Sequence, residues 1–389
     1  MFSSLHKNQN FEATAYAISG PAAFANSLAS GRARPEAQSQ YDSGDVEEAL
    51  SRDELSEPDF AALLSPAADA FLERIAIRAR ALTRQRFGRT ILLYAPLYLS
   101  NECRSTCTYC GFSYGNAIRR LTLSVEEAAA EAEILYQQGI RHILLLTGEA
   151  YRDTPVSYIG EVAERLRERF ASVSIEVFPL REDQYRELRT NGVDGLAVYQ
   201  ETYDPDRYRE VHLGGIKKHM QFRLECPDRA GQAGMRRIAI GALLGLSDPG
   251  ADTYMVGLHA RYLMRRYWQT QVSVSLPRLR PAVGLGDVSS RQVLADRVYL
   301  RYLCALRLFL PDAGLVLSTR EPPRLRDELA GLVITQMSAG SRTEPGGYSG
   351  KAATEQFAVD DHRSVDEVRA MLVARELEPV FVDWSPVLK

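Results

Sequence analysis

Apolar runs recur along this chain at residues 91–98, 141–147, 173–178, 194–199, 237–241, 272–276, 314–318 and 332–336. Most are separated by polar stretches of helical length and period, and strands that alternate with helices build parallel βαβ units. Eight such units predict an α/β fold, a (β/α)8 TIM-type barrel. The clearest helix starts at Ser124, carries Glu126 and Glu127 in its first turn and stops at Gly139, a capped start and a glycine stop. Ser65-Pro66 places a cap and a first-position proline before a long amphipathic helix that runs to Phe87 and ends at Gly88. Near the C-terminus Ser364-Val-Asp-Glu367 is a capping box for a helix to about Arg375, and Val380-Phe-Val382 reads as an edge strand.

These elements divide the chain. Residues 1–44, rich in Ala, Ser, Gly and Gln without a period, form a weakly ordered arm, with order expected from near Asp45. Residues 45–88 read as a helical extension, 89–337 as the barrel, and 338–389 as a C-terminal extension that closes it. With 45% apolar and 25% charged residues in 389, the chain can bury a sizeable core. A net charge of -3 argues against nucleic acid as the main partner, and the basic run from Arg261 to Arg266 reads as a solvated helix face. No run reaches the length of a membrane helix, and the start lacks a basic stretch followed by an apolar one. A cytoplasmic location, with no membrane partner, is therefore expected.

Chemistry concentrates after the first apolar run. Cys103, Cys107 and Cys110 lie within eight residues, while Cys226 and Cys304 are over a hundred residues away. Zinc sites usually group four Cys/His ligands in pairs, and the nearest histidine is His142. A disulfide framework belongs to small secreted chains with an even cysteine count; this chain has 389 residues and five cysteines. An iron-sulfur cluster takes four thiolates in its full set, so three leave one iron open to a non-protein ligand. Polar groups also follow the other runs: Thr147-Gly148-Glu149, Gln200-Glu201-Thr202, Arg278 and Arg280, and Thr319-Arg320-Glu321. Barrel active sites gather at the C-terminal ends of strands, so these residues form a candidate site together with the cysteines.

The spacing Cys-x3-Cys-x-aromatic-Cys, with Tyr109 before the last cysteine, resembles the radical S-adenosyl-L-methionine (SAM) enzymes. From about residue 45 the chain is similar to the 2-iminoacetate synthases, the tyrosine lyases of thiamine-thiazole biosynthesis. Ala95-Pro-Leu-Tyr-Leu-Ser-Asn101, Tyr109-Cys-Gly-Phe-Ser113, Leu144-Leu-Leu-Thr-Gly-Glu149 and Val198-Tyr-Gln-Glu-Thr-Tyr203 carry the resemblance. So do Arg223-Leu-Glu-Cys-Pro-Asp-Arg229, Pro277-Arg-Leu-Arg-Pro281, Leu317-Ser-Thr-Arg-Glu-Pro322, Pro345-Gly-Gly-Tyr348 and Asp383-Trp384. A related maturase of the iron-only hydrogenase cofactor carries a second cysteine cluster, but here no cysteine follows Cys304.

The resemblance implies a four-iron, four-sulfur (4Fe-4S) cluster held by Cys103, Cys107 and Cys110, with SAM on the fourth iron. It implies Glu149 on the SAM amine, Glu201 on the ribose, Arg223 on the SAM carboxylate and Tyr109 near the adenine. Arg320, with Tyr98 and Ser338 beside it, is expected to hold the carboxylate of the substrate L-tyrosine, whose Cα–Cβ bond breaks to give 2-iminoacetate and p-cresol. A different aromatic amino acid such as tryptophan, or a non-catalytic iron-sulfur role, are the alternatives. The implied partners are a flavodoxin- or ferredoxin-type electron donor and a thiazole synthase. His212 and His259 are candidates for the phenol proton, and the N-terminal helix and the loop Gly346-Gly347-Tyr348 are candidate lids.

Overall fold

The computed structural model describes residue 24 and residues 40–284, 294–351 and 353–383. The expected weakly ordered arm, apart from Phe24 and its last few residues, lies outside the described residues, as does Trp384. Eight parallel strands follow one another: β1 (Thr90–Ser100), β2 (His142–Thr147), β3 (Ser172–Glu176), β4 (Gly195–Glu201), β5 (Arg237–Ala242), β6 (Gln271–Ser275), β7 (Gly314–Leu317) and β8 (Gln336–Ser338). Each pairs with the next, and β8 pairs with β1 through Leu92–Gln336, Leu93–Met337 and Tyr94–Ser338, so the sheet closes. Helices cover the outside, which is why the strands read as nearly unbroken apolar runs rather than as an alternation.

The expected boundaries mostly match. The helix capped by Ser124 spans Val125–Gln137, and Gly139 adopts φ +92° just after it. The helix capped by Ser364 spans Val365–Ala374. Three boundaries move. The eighth strand begins at Gln336, not at residue 332: the amides of Leu332, Val333 and Ile334 fold back onto the Leu329 carbonyl, so their apolar side chains pack the end of helix Pro323–Ala330. Residues Pro66–Phe71 form a 3-10 turn before helix Leu72–Phe87, drawn down by Arg301 on the Leu64 carbonyl and the Asp69 carboxylate. The edge strand, β9, is Glu378–Val380 and pairs with Thr90, Ile91 and Leu92 of β1.

Leu92 pairs with Gln336 on one flank and with Val380 on the other, so β9 shares a flank of β1 with β2, which pairs higher up from Ala95. A second cavity, of about 490 Å³, opens among the strand starts and is lined by Phe87, Thr90, His142, Arg237 and Gln336. Helix Leu72–Phe87 ends there at Phe87, and none of its residues lines the cysteine cavity, so it does not cover that cavity as the expected lid.

The chain beyond β8 is held by a buried ion pair. Arg326, fully buried, meets the buried carboxylate of Asp361 and the Ser338 carbonyl, and Arg363 adds a second cation to Asp361 at 2.7 Å. Breaking such a pair leaves an uncompensated charge in the core. Asp361→Ala is expected to destabilise the fold by about 3–5 kcal/mol, seen as a lower midpoint in chemical unfolding.

Candidate active site

The cysteine segment leaves β1 and is pinned on three sides. Thr106–Cys107 forms an antiparallel ribbon with His212–Gly214. Arg104 donates its amide to the Glu149 carbonyl at 3.1 Å, and Cys107 donates its amide to Ser113 Oγ at 3.1 Å. Asn116 Nδ2 donates to the carbonyls of Cys110 and Gly111 at 3.2 and 3.0 Å. Two glycines are dictated by contact. A Cβ at Gly148 would stand 2.1 Å from the Glu102 carbonyl oxygen, and one at Gly111 would stand 2.6 Å from that of Gln356.

Cys103, Cys107 and Cys110 line one cavity of about 150 Å³ at the C-terminal ends of the strands. Burial raises all three thiols, Cys103 to about 11, while the Lys217 charge opposes the shift at Cys107 and Cys110. Cys226 and Cys304 are fully buried elsewhere, the former bonded to the Phe222 carbonyl and Arg229. Among the described residues no three His, Cys, Asp or Glu side chains surround a single-ion position. Thiolates that each bind a different iron of one cluster need no such convergence.

Two carboxylates face the thiols and share cations. Arg223 donates to Glu149 Oε1 at 2.8 Å and to the Tyr199 carbonyl at 2.7 Å, and its other terminal nitrogen is 3.7 Å from Glu201. Ser105, inside the cysteine segment, donates its hydroxyl to the second oxygen of Glu149 at 3.2 Å. Lys217 donates to Glu201 at 2.7 Å. Burial works against the charge on Glu201, but Lys217 and Arg223 outweigh it and hold the carboxyl below its ordinary value. Glu201 also adopts φ +71°, a left-handed conformation that costs a non-glycine residue roughly 1–3 kcal/mol and marks functional sites.

Arg320, Tyr98, Ser338 and Glu176 also line the cavity, with Tyr98 packed beside Cys103 and Cys110. The Arg320 guanidinium stacks on the Phe357 ring at 3.3 Å and has no hydrogen bond or ion pair with any described residue. Burial pushes it below its usual basicity, against the pull of Tyr98, Tyr199, Glu201 and Glu176. Tyr98 donates its hydroxyl to Gln356 at 2.7 Å, and Ser338 Oγ accepts the Thr319 amide at 3.1 Å. Gln356 and Phe357 thus form the roof. The expected lid at Gly346–Tyr348 is instead a brace: none of its residues lines the cavity, and Tyr348 donates its hydroxyl to the carbonyl of the lining residue Pro96 at 2.7 Å.

Residues 97–253 match the Radical SAM superfamily and residues 275–378 the Biotin and Thiamin Synthesis associated domain. The 2-iminoacetate synthase of Escherichia coli K12 is 46% identical over 346 residues, which are 88% of this chain and 91% of that protein. The protein of the same name from Salmonella typhimurium is 46% identical over 88% of this chain and 90% of its own length. The chain belongs to the 2-iminoacetate synthase family of radical SAM enzymes. Among solved structures, the FeFe-hydrogenase maturase HydG from Carboxydothermus hydrogenoformans superposes with a TM-score of 0.80 at 32% identity, covering 96% of this chain and 84% of that one. Members of this radical SAM family use a 4Fe-4S cluster and SAM. The donor set here fits them: three thiols on one wall are one short of a full set, and Lys217 and Arg223 supply positive charge beside an anionic cluster.

Every expected cofactor and substrate residue, Tyr98, Tyr109, Glu149, Glu201, Arg223, Arg320 and Ser338, lines this cavity. The two histidines do not. His212 Nδ1 bonds the Tyr208 carbonyl and its Nε2 meets the Tyr109 hydroxyl at 2.8 Å, and burial pushes it down to about 3. His259 bonds Tyr203 and stacks on Phe24 at 4.3 Å. Sequence reasoning missed Glu176, Lys217, Gln356 and Phe357 as lining residues. Glu176 had a signal, a charge inside an apolar run; Lys217-Lys218 reads as an ordinary solvated pair, and Gln356-Phe357 lies where no period exists.

The Gly148 contact generates a test. Gly148→Ala is expected to displace the cysteine segment and sharply lower the iron and sulfide bound after anaerobic reconstitution, whereas Cys304→Ala leaves both unchanged; metal analysis checks both.

Proposed function

We infer that this radical SAM lyase splits the Cα–Cβ bond of L-tyrosine, giving 2-iminoacetate (dehydroglycine) and p-cresol for assembly of the thiamine thiazole. The observation that carries the reading is the Arg320 guanidinium, a cation in the cavity with no hydrogen bond or ion pair to any described residue. A buried charge is stable only when paired, and an amino acid brings the missing carboxylate. The curated relatives named 2-iminoacetate synthase supply the reaction class.

Cys103, Cys107 and Cys110 hold the cluster. When bound, the reduced cluster and SAM supply a 5'-deoxyadenosyl radical, which accounts for the loss of a hydrogen atom from the substrate amine. Glu149 accepts from the SAM amine, since its oxygens are already oriented by Arg223 and Ser105. Glu201 takes the ribose hydroxyls, and Lys217 keeps it ionised. Arg223 turns the terminal nitrogen that is free of Glu149 toward the SAM carboxylate, an arrangement suited to its planar fork. The Tyr109 ring, fixed by His212 at its hydroxyl, presents a face to the adenine.

Arg320 pairs the tyrosine carboxylate, with Ser338 beside it. Tyr98 sits in a different relation to the substrate than a carboxylate ligand: its proton is committed to Gln356, so it holds the roof down. Gln356 and Phe357 exclude water from a radical site that water and side reactions would quench. A low-potential flavodoxin- or ferredoxin-type donor delivers the electron, a thiazole synthase consumes the imine, and the reducing cytoplasm suits the thiolates. No helix among the described residues is long and apolar enough to cross a membrane.

Given tyrosine, SAM and a low-potential reductant without oxygen, the cluster-loaded protein is expected to release p-cresol, 5'-deoxyadenosine and glyoxylate, the last by hydrolysis of the imine. Arg320→Ala is expected to lower p-cresol formation by about 30-fold or more, the cost of removing one partner of a desolvated pair. Chromatography of the products decides: SAM cleavage without p-cresol, or faster turnover of tryptophan than of tyrosine, contradicts the reading.

A further inference from the structure

Among the described residues three carboxylates line the cavity: Glu149, Glu201 and Glu176. Two are committed. Glu149 is bonded by Arg223 and Ser105, and Glu201 by Lys217. Glu176, the last residue of β3, pairs with Leu146 through its backbone, but its carboxylate has no hydrogen bond or ion pair with any described residue. Burial, with the Glu201 charge adding to it, raises its carboxyl to about 7, while Arg223, Arg320 and Lys217 pull the other way. Glu176 is also within electrostatic reach of Tyr94, Tyr98 and Tyr199, each a phenol raised by burial.

The Arg320 guanidinium likewise has no hydrogen bond or ion pair with any described residue, and it attracts the Glu176 carboxylate only at longer range. A zwitterionic amino acid satisfies both at once, its carboxylate on Arg320 and its ammonium on Glu176. We propose that Glu176 binds the α-ammonium of the substrate and takes one proton from it before the hydrogen atom is lost. In this step one N–H bond breaks, the electron pair stays on nitrogen, and the proton moves to a Glu176 oxygen, so an ammonium and a carboxylate become an amine and a carboxylic acid. Nothing is oxidised or reduced. The transfer matters because removing a hydrogen atom from an ammonium leaves a charged radical in a dry cavity, whereas removing it from a neutral amine leaves a neutral one. A carboxyl that titrates near neutrality is suited to receive that proton.

The proposal rests on the tyrosine-lyase reading above, and its test separates the two. Binding is measured on the cluster-loaded, SAM-bound protein without reductant, so that no turnover occurs, with tyrosine and with 3-(4-hydroxyphenyl)propionate, which keeps the phenol and carboxylate but lacks the ammonium. Glu176→Gln is expected to weaken tyrosine binding by about tenfold or more, to leave the propionate unchanged, and to leave iron content unchanged. In the unaltered protein the sign with pH follows from the raised carboxyl: Glu176 is ionised above about 7, so tyrosine binds more weakly as pH falls through that value, while the propionate shows no such loss. Arg320, Arg223 and Lys217 stay cationic over this range, and the three phenols stay neutral. Equal weakening of both ligands in Glu176→Gln, or no weakening of either, overturns the proposal. Failure to form p-cresol by an unaltered protein that passes this binding test overturns the lyase reading instead.

Discussion

One guanidinium, that of Arg223, ties the barrel mouth together. It reaches Glu149 after β2, the Tyr199 carbonyl within β4 and, at longer range, Glu201 at the end of β4. Glu149 in turn orients Ser105, and its carbonyl receives the Arg104 amide, so the cysteine segment hangs from the same ion pair. Burying these charges costs several kcal/mol per ion unless geometry and extra hydrogen bonds compensate, and here each carboxylate has a cation. A cluster held by the three thiolates would add negative charge at the same place. Its neighbours Lys217 and Arg223 are therefore not incidental to where three thiols were put.

The strained backbone at Glu201 belongs to the same arrangement. Its φ of +71° turns the carboxylate into the cavity, and the turn is held on both sides: Leu243 donates its amide to the Glu201 carbonyl at 2.8 Å, and Asp252 accepts from Thr202 and from the Tyr203 amide. Burial lifts Asp252 to about 7, against those hydrogen bonds. The turn after the strained residue is thus held by hydrogen bonds to a buried carboxyl that does not line the cavity.

The periodic parts of this fold were legible from sequence because their signals are local. Apolar runs located the strands, and Ser124 and Ser364 located helix starts to the residue. The cysteine spacing and the polar residues after the runs located one wall of the cavity. What stayed hidden depends on long-range contact. Gln356 meets Tyr98 across 258 positions, and nothing in its neighbourhood announces a roof. Leu332, Val333 and Ile334 looked like a strand because burial at a helix end and burial in a sheet use the same side chains. His259, singled out for its chemistry, proved to be buried against Phe24 and Tyr203, far from any group it was meant to serve.

Charge pairing is uneven around the cavity: Glu149 and Glu201 are held by Arg223 and Lys217, whereas the Arg320 guanidinium has no ion pair with any described residue. The central claim is that this open cation selects a carboxylate. It is tested most directly by comparing the affinities of tyrosine and tyramine, which lacks the carboxylate, for the cluster-loaded, SAM-bound protein and for its Arg320→Ala variant without reductant. The account predicts that the unaltered protein prefers tyrosine by about tenfold or more and that the variant loses this preference. Equal affinities in the unaltered protein, or a preference that survives in the variant, would contradict it.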